Sequence, residues 1–362
     1  MPHRSTVPPD APWLTSALRR LLVCGALLTM ACAHGAPQIN PKAVRFQAEG
    51  ANALTRGDLD RAAGLFSLAL EYEPRMAEAR NGLGLVAMAR GDKAAAEEQF
   101  KIALQFNEEL AEAHHNLGEI NLDRDEVEDA LTRFKQALAI DPGYWPSRLK
   151  AGEALIRLGR PEEARWELVK LTEVQPQNAA AQAYYALVLA QLNRIAAAEA
   201  AAQKALALDP NLGAAHRARA VILTRRKDLA GAAEEYRAVL KSNPASVDDR
   251  VGLVRSLIGS GRLDDADSEI MSLEKLAPAR PEVSYLRAYL ALNRQDLQTA
   301  INYSVRALKL KPRYPEARMV LAEALIRTGQ DAEGRHQLKI FLEEAPPALD
   351  LERRLANQFL AR

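Results

Sequence analysis

Residues 111–144 read AEAHHNLGEINLDRDEVEDALTRFKQALAIDPGY, and the same 34-residue pattern repeats along the chain without an insertion or a deletion. A fixed period of this length indicates one small structural unit copied in tandem. Its clearest mark is a proline at repeat position 32, found at residues 142, 176, 210, 244, 278, 312 and 346, with Pro74 two periods earlier. The register divides residues 43–348 into nine repeats, which begin at residues 43, 77, 111, 145, 179, 213, 247, 281 and 315.

Two positions of the repeat hold small residues. Position 8 is glycine or alanine except for Val254, and position 20 is alanine except for Gly334. Small residues at this separation, each inside an apolar pattern of helical period, are what two antiparallel helices need where their backbones approach closely. Position 15 between them is mostly glycine, or Asp125 or Asn193, which tolerate the left-handed conformation that ends a helix. Each repeat is therefore predicted to be a helical hairpin.

A bulky side chain at position 24 completes the pattern in most repeats, although Ala202 and Ser304 depart from it. The repeat resembles the tetratricopeptide repeat (TPR) family, and repeat 3 matches that pattern best through Leu117, Gly118, Ala130, Phe134, Ala137 and Pro142. The resemblance implies an all-α fold, a right-handed superhelical solenoid of nine helical hairpins in which each hairpin packs mainly on its neighbours. Residues 349–362 continue the frame and are expected to form a C-terminal capping helix.

The N-terminal segment has a different character. Arg19 and Arg20 precede an uncharged apolar stretch, residues 21–31, which is too short to span a bilayer as a helix but suits the core of a signal peptide. We therefore interpret residues 1–31 as a signal peptide that takes the chain out of the cytoplasm.

This apolar stretch ends in LTMAC, residues 28–32, which resembles a bacterial lipobox, so Cys32 is predicted to be a lipidation site and residues 32–42 a lipidated tether. Two alternatives are an ordinary signal cleaved near Cys32, which would give a soluble periplasmic protein, and no export. Lipidation accounts best for the cysteines, because Cys24 lies in the removed part and one cysteine cannot form an internal disulfide. Since Ala33 follows the cysteine where an aspartate favours the inner membrane, the resemblance implies the periplasmic face of the outer membrane.

Composition argues against several functions. With 48 basic and 47 acidic residues, the chain has no net field to attract nucleic acid, so no nucleic-acid partner is predicted. The sequence has no phosphate-binding glycine loop and no GxSxG or HExxH motif. His115 and Glu119 share a helix face, but two ligands make a poor metal site, and the ordinary interpretation is a histidine making polar contacts. We predict no enzymatic activity, cofactor, metal or small-molecule substrate.

The surface expected to bind a partner is the concave groove, which in TPR proteins is lined by positions 2, 5, 9 and 12 of the first helices. Apolar residues with a few charges suit an extended or helical peptide better than a small metabolite. Tyr285 and Tyr289, one helical turn apart, are the best candidates for a contact hot spot, the alternative being packing against the neighbouring hairpin. The predicted groove comprises Asn81, Leu85, Met88, His115, Glu119, Leu122, Leu149, Glu153 and Ile156 in repeats 2–4, and Arg217, Val221, Arg255, Ile258, Tyr285, Tyr289, Leu292, Met319 and Glu323 in repeats 6–9.

The chain is similar to bacterial outer-membrane TPR lipoproteins of type IV pilus and gliding-motility machineries. This resemblance implies a non-catalytic scaffold, anchored to the membrane by lipid, that holds protein partners in the cell envelope and assists assembly of such a machine. The alternative is a regulator of a periplasmic cell-wall or polysaccharide-export enzyme. Both functions use the same groove, and only the identity of the partner separates them.

Overall fold

The computed structural model describes residues 39–346 and 349–361, which form 19 α-helices and no strand. The predicted signal peptide and Cys32 lie outside these residues. The helices are α1 (Pro41–Thr55), α2 (Leu59–Tyr72), α3 (Ala77–Ala89), α4 (Lys93–Phe106), α5 (Ala111–Asp123), α6 (Val127–Ile140), α7 (Trp145–Arg157), α8 (Pro161–Val174), α9 (Ala179–Gln191), α10 (Ile195–Leu208), α11 (Gly213–Arg225), α12 (Leu229–Ser242), α13 (Val247–Gly259), α14 (Leu263–Leu276), α15 (Pro281–Asn293), α16 (Leu297–Leu310), α17 (Pro315–Arg327), α18 (Asp331–Glu344) and α19 (Asp350–Ala361). Of these helices, none is both long enough and apolar enough to cross a bilayer.

Consecutive helices pair into hairpins, one for each predicted repeat. The chain divides into two compact units after Pro176. Unit 1 contains repeats 1–4, which are helices α1–α8, and unit 2 contains repeats 5–9 with helix α19. Within each unit every hairpin packs against the next one along the chain. The predicted fold class, an all-α array of TPR hairpins, is confirmed.

A residue with positive φ ends the first helix of every repeat. Position 15 has φ between +58° and +82° in all nine repeats. Glycine occupies five of these positions, and the predicted Asp125 and Asn193 occupy two more. Lys227 and Gln295 take the same conformation, with φ of 64° and 63°, although neither residue type favours it. The packing of the two helices therefore imposes the turn even where the residue does not.

The interior of a hairpin is built from the small position 8 and the bulky position 24. In repeat 2 the ring of Phe100 lies against Gly84, and a Cβ added to this glycine would stand 2.4 Å from the ring. Phe100 is fully buried, so its ring has no free space to move into. A glycine at position 8 is thus what permits a buried aromatic ring at position 24.

Helix α19 covers the end of unit 2. Its Ala356 is fully buried in a cluster with Leu338, Phe341 and Ala345 of the last repeat. Arg353 donates from Nη1 to the backbone carbonyls of Leu342, at 2.9 Å, and Ala345, at 2.8 Å. These carbonyls belong to the end of α18, where backbone acceptors have no partner within the helix. Helix α19 thus supplies both apolar cover and a polar cap.

Candidate functional site

The predicted groove residues differ in how far they reach solvent. Among these residues, those at position 9 of the first helix are the most consistently accessible, and those at positions 5 and 12 are more often buried. The buried members are Asn81, Leu85, His115, Leu122 and Leu149 in unit 1, and Ile258, Tyr285 and Leu292 in unit 2. The half-buried or exposed members are Met88, Glu119, Glu153 and Ile156 in unit 1, and Arg217, Val221, Arg255, Tyr289, Met319 and Glu323 in unit 2.

In unit 1, a buried histidine joins repeats 3 and 4. The Nδ1 atom of His115 lies 3.0 Å from Oγ of Ser147, and its ring packs against Phe134 and Tyr144 with centroid separations of 5.5 and 5.4 Å. Burial, with a smaller contribution from the charge of Lys150, lowers the pKa of His115 to about 3. The imidazole is therefore neutral at physiological pH and serves packing and hydrogen bonding.

Above His115 the groove of unit 1 carries a small cluster of charges. Nζ of Lys150 lies 3.8 Å from Glu119 Oε1 and 3.2 Å from Glu153 Oε2. Burial raises the pKa of the Glu119 carboxyl, and Lys150 partly offsets this effect. Nε2 of His115 lies 3.8 Å from Glu119 Oε2, which is too long for a hydrogen bond. Within the part of the chain that the structure describes, no group of three or more histidine, cysteine and acidic residues is arranged to hold a metal ion.

In unit 2, the groove carries an aromatic and cationic cluster that we call the Arg255 cluster: Arg255, Tyr285, Tyr289 and Tyr314. The rings of Tyr285 and Tyr289 stack with a centroid separation of 6.0 Å and an angle of 3° between their planes. The ring of Tyr314 also contacts Tyr285, with centroids 5.2 Å apart. Burial raises the pKa of Tyr285 to about 12. Tyr285 is therefore the buried base of the cluster, and Tyr289 is its accessible member.

The guanidinium of Arg255 lies over the ring of Tyr285, 5.3 Å from its centroid. Arg255 itself is exposed. Among residues 39–346 and 349–361, no carboxylate lies within 4.0 Å of this guanidinium. A cation held against an aromatic ring and lacking a carboxylate partner can receive an acidic group from another molecule.

Arg217, another predicted groove residue, is engaged inside the protein. It donates from Nε and Nη2 to the two carboxylate oxygens of Asp249, at 2.6 and 2.5 Å. Asp249 is buried and also accepts from the hydroxyl of Ser246 at 2.6 Å. A bidentate pair of this kind fixes the arginine, so Arg217 serves mainly to join repeats 6 and 7.

Sequence reasoning missed a recurrent polar contact, which we call the latch. In repeats 4, 6, 7 and 9, the side chain at position 4 contacts position 23 of the same repeat and the carbonyl of the proline that closes the preceding repeat. Arg148, for example, donates to Glu167 Oε2 at 2.6 Å and to the Pro142 carbonyl at 2.6 Å. The four pairs are Arg148–Glu167, His216–Glu235, Arg250–Glu269 and Arg318–Gln337. Their constant spacing of 19 residues is the signal by which the sequence reveals them.

Paired helices, left-handed turns and stacked hairpins define a helical tandem-repeat protein. A sequence model described as tetratricopeptide repeat matches residues 121–183, 223–290 and 291–353, which is more than half of the chain. Two further models with the same description match residues 48–110 and 180–212. The chain belongs to the tetratricopeptide repeat family. No curated protein sequence matches it.

Solved TPR structures resemble this chain at low sequence identity. The APC/C hetero-tetramer Cut9–Hcn1 aligns with a TM-score of 0.58 and 16% identity, over 90% of this chain and 77% of that one. A tetratricopeptide repeat protein from Parabacteroides merdae aligns with a TM-score of 0.52 and 17% identity, over 69% of this chain and 99% of that one. PilF of Pseudomonas aeruginosa aligns over 68% of this chain and 97% of its own, at 18% identity and a TM-score of only 0.40. The first two show the fold alone, and the third supports no inference.

Membership of the TPR family indicates the general kind of function. TPR domains bind protein partners, and the TPR fold is generally a non-catalytic interaction scaffold. The chain is accordingly a scaffold for protein–protein interaction.

Proposed function

We propose that this protein is a lipid-anchored scaffold on the periplasmic face of the outer membrane, where it holds a protein component of a cell-envelope machine, such as a pilus or gliding-motility apparatus. The anchoring part of the proposal rests on the signal-like residues 1–31 and on Cys32 in its lipobox-like context. With Cys32 acylated, the ten residues that follow it would keep the first repeat within about 35 Å of the lipid even if fully extended.

The binding part of the proposal rests on one observation, the exposed guanidinium of Arg255 without a carboxylate partner. Tyr289 stacks on Tyr285, the ring that Arg255 covers, and Met319 is half-buried in the same groove two repeats after Arg255. An arginine, an aromatic ring and a thioether are the side chains most often found at contact hot spots and adaptable binding surfaces.

These groups specify the chemistry of the partner segment. A carboxylate would pair with Arg255, and apolar side chains would cover Tyr289 and Met319. Glu323, also accessible in this groove, would disfavour a second acidic residue near the position of Met319. The segment is therefore a peptide, extended or helical, with one acidic residue next to apolar ones.

The test is site-specific photocrosslinking in living cells from position 289, followed by mass spectrometry of the captured protein. Tyr289 is preferred to Tyr285 because Tyr285 is buried. Met271 is the matched control position, since it is exposed on the second helix of a neighbouring repeat. We expect one envelope-machine component to be captured from position 289 and not from position 271.

The Cys32→Ala variant tests the anchor separately. If the protein works from the membrane, this variant loses the crosslink while its fold is retained. An unchanged crosslink in Cys32→Ala would contradict the anchored location and leave the groove assignment standing. Capture of cytoplasmic proteins alone would contradict export and the envelope function together. Capture of a cell-wall or polysaccharide-export enzyme would favour the regulator function instead.

A further inference from the structure

Repeat 8 has a pocket at the place where other repeats have a latch. Its position 4 is Ser284 and its position 23 is Tyr303, so the repeat has neither the basic side chain nor the carboxylate of the Arg250–Glu269 pair. A pocket of about 350 Å³ is present at this point. It is lined by Glu274, Pro278, Val283, Ser284, Tyr303 and Arg306.

Pro278 identifies the pocket as the counterpart of the latch. It is the proline that closes repeat 7, and so it corresponds to Pro244 and Pro312. The carbonyl of Pro244 accepts from Arg250 at 2.7 Å, and that of Pro312 accepts from Arg318 at 2.8 Å. Ser284 stands at this position in repeat 8, and its hydroxyl has only one donor, so it cannot make the two contacts that an arginine makes there. The pocket thus keeps one acceptor of a latch, the proline carbonyl, and lacks the internal cation.

We propose that this pocket binds the guanidinium of an arginine side chain presented by another protein. The groups that occupy the four latches are three guanidiniums and one imidazole, which are planar groups with nitrogens pointing in two directions. An arginine fork placed here would reach the Pro278 carbonyl with one nitrogen, as Arg250 and Arg318 reach theirs, and the tyrosine at position 23 with another. Lysine, which presents a single ammonium on a flexible stem, matches this two-acceptor geometry less well.

The charged groups that line the pocket are one carboxylate, Glu274, and one guanidinium, Arg306. Glu274 contributes a carboxylate, which already binds Arg287 at 3.1 and 2.8 Å and so cannot neutralise a full second charge. Arg306 is the opposing feature, but it is exposed on α16, so its long side chain can turn into solvent. This inference concerns a surface other than the groove, and it does not depend on the lipid anchor or on the envelope machine.

The first experiment titrates the full chain with Nα-acetyl-arginine methylamide and follows binding by saturation-transfer NMR. Nα-acetyl-citrulline methylamide is the matched probe, because it has the same shape without the charge. We expect saturable binding of the arginine probe and binding about tenfold weaker for the citrulline probe. Equal binding of the two probes, or no saturable binding of either, would overturn the proposal.

Filling the pocket from within is the decisive control. The double variant Ser284→Arg with Tyr303→Glu copies the Arg250–Glu269 pair of repeat 7 into repeat 8, and we expect it to abolish binding of the arginine probe. An arginine probe that still binds the filled variant with the original affinity would show that the site lies elsewhere.

Two single variants keep the proposal testable if the double variant does not fold. Tyr303→Glu adds a charged acceptor without filling the pocket, and it is expected to tighten arginine binding about tenfold. Arg306→Ala removes a positive charge that would repel the guanidinium, and it is also expected to tighten binding of the arginine probe. Weaker binding in Arg306→Ala would contradict the proposal, because it would mean that the pocket recognises its ligand through Arg306 and takes an anion.

Discussion

Adding one methyl group to Gly84 should destabilise unit 1, although alanine is the better helix-forming residue. In an open helical position this change stabilises by about 1 kcal/mol. At Gly84, however, the new Cβ would stand 2.4, 2.6 and 2.9 Å from three ring atoms of Phe100, which is fully buried. Overpacking of a close-packed interior costs about 1–3 kcal/mol, so the clash should exceed the gain in helix propensity.

A second glycine in the same unit provides the matched control. Gly64 lies in α2, is exposed, and has no atom within 4 Å of an added Cβ. Gly64→Ala should therefore stabilise the protein by about 0.5–1 kcal/mol. Urea unfolding followed by circular dichroism should place the midpoint of Gly84→Ala below that of the unmodified chain and the midpoint of Gly64→Ala above it.

The repeats themselves indicate which second change rescues Gly84→Ala. Repeat 9 combines Ala322 at position 8 with Leu338 at position 24, and both side chains are buried. Repeat 6 combines Ala220 with Tyr236, and there the ring is only half-buried. Phe100→Leu in the Gly84→Ala background should thus recover part of the lost stability. If Gly84→Ala were as stable as Gly64→Ala, the close contact between positions 8 and 24 would not control packing, and this reasoning would be wrong.

Three further predictions test the polar parts of the molecule. Arg250→Ala removes a mostly buried latch and should lower the free energy of unfolding of unit 2 by about 1–3 kcal/mol, measured by urea unfolding. Arg327→Ala is the control, because it removes an accessible ion pair within one helix, and it should change this free energy by less than about 0.5 kcal/mol. The pKa of His115 is lowered from 6.5 to about 3, so between these pH values the unfolded chain binds a proton that the folded chain does not. The free energy of unfolding should therefore fall as the pH drops through this window, by at most about 1.4 kcal/mol per pH unit. Urea unfolding at several pH values should show a smaller fall for His115→Gln than for the unmodified chain. Arg255→Glu should reduce photocrosslinking from position 289 about tenfold without changing the circular dichroism spectrum, and an undiminished crosslink would remove Arg255 from the binding surface.

The hairpin fold was predictable because its signals are local and repeat many times. A small residue at position 8, alanine at position 20 and a proline at position 32 each have a separate physical reason, and they agree in nearly every repeat. The turn at Lys227 was not predictable from its residue type. Its left-handed backbone follows from the packing of the two flanking helices, which a single residue does not reveal.

The groove was predictable as a helix face but not as an exposed surface. The period of a helix assigns Tyr285 and Tyr289 to the same face, yet Tyr285 is buried because Tyr314, from the end of the same repeat, packs against it. The latch was missed for a related reason. Arg250 looks in the sequence like any solvated arginine, and its partner Glu269 lies on the other helix of the hairpin.

Comparison among the repeats separates the residues that build the fold from those available for binding. All nine hairpins meet the same packing requirements, so a polar side chain that recurs at one position with the same contacts, as the latch arginines do, is explained by the fold. Arg255 differs from this pattern, because no carboxylate among the described residues neutralises it. Repeat 8 differs in the opposite sense, because at Pro278 it has the proline of a latch without the arginine. The two proposals thus assign different chemistry to the two sites of unit 2, an acidic partner group at Arg255 and a guanidinium at the pocket of repeat 8.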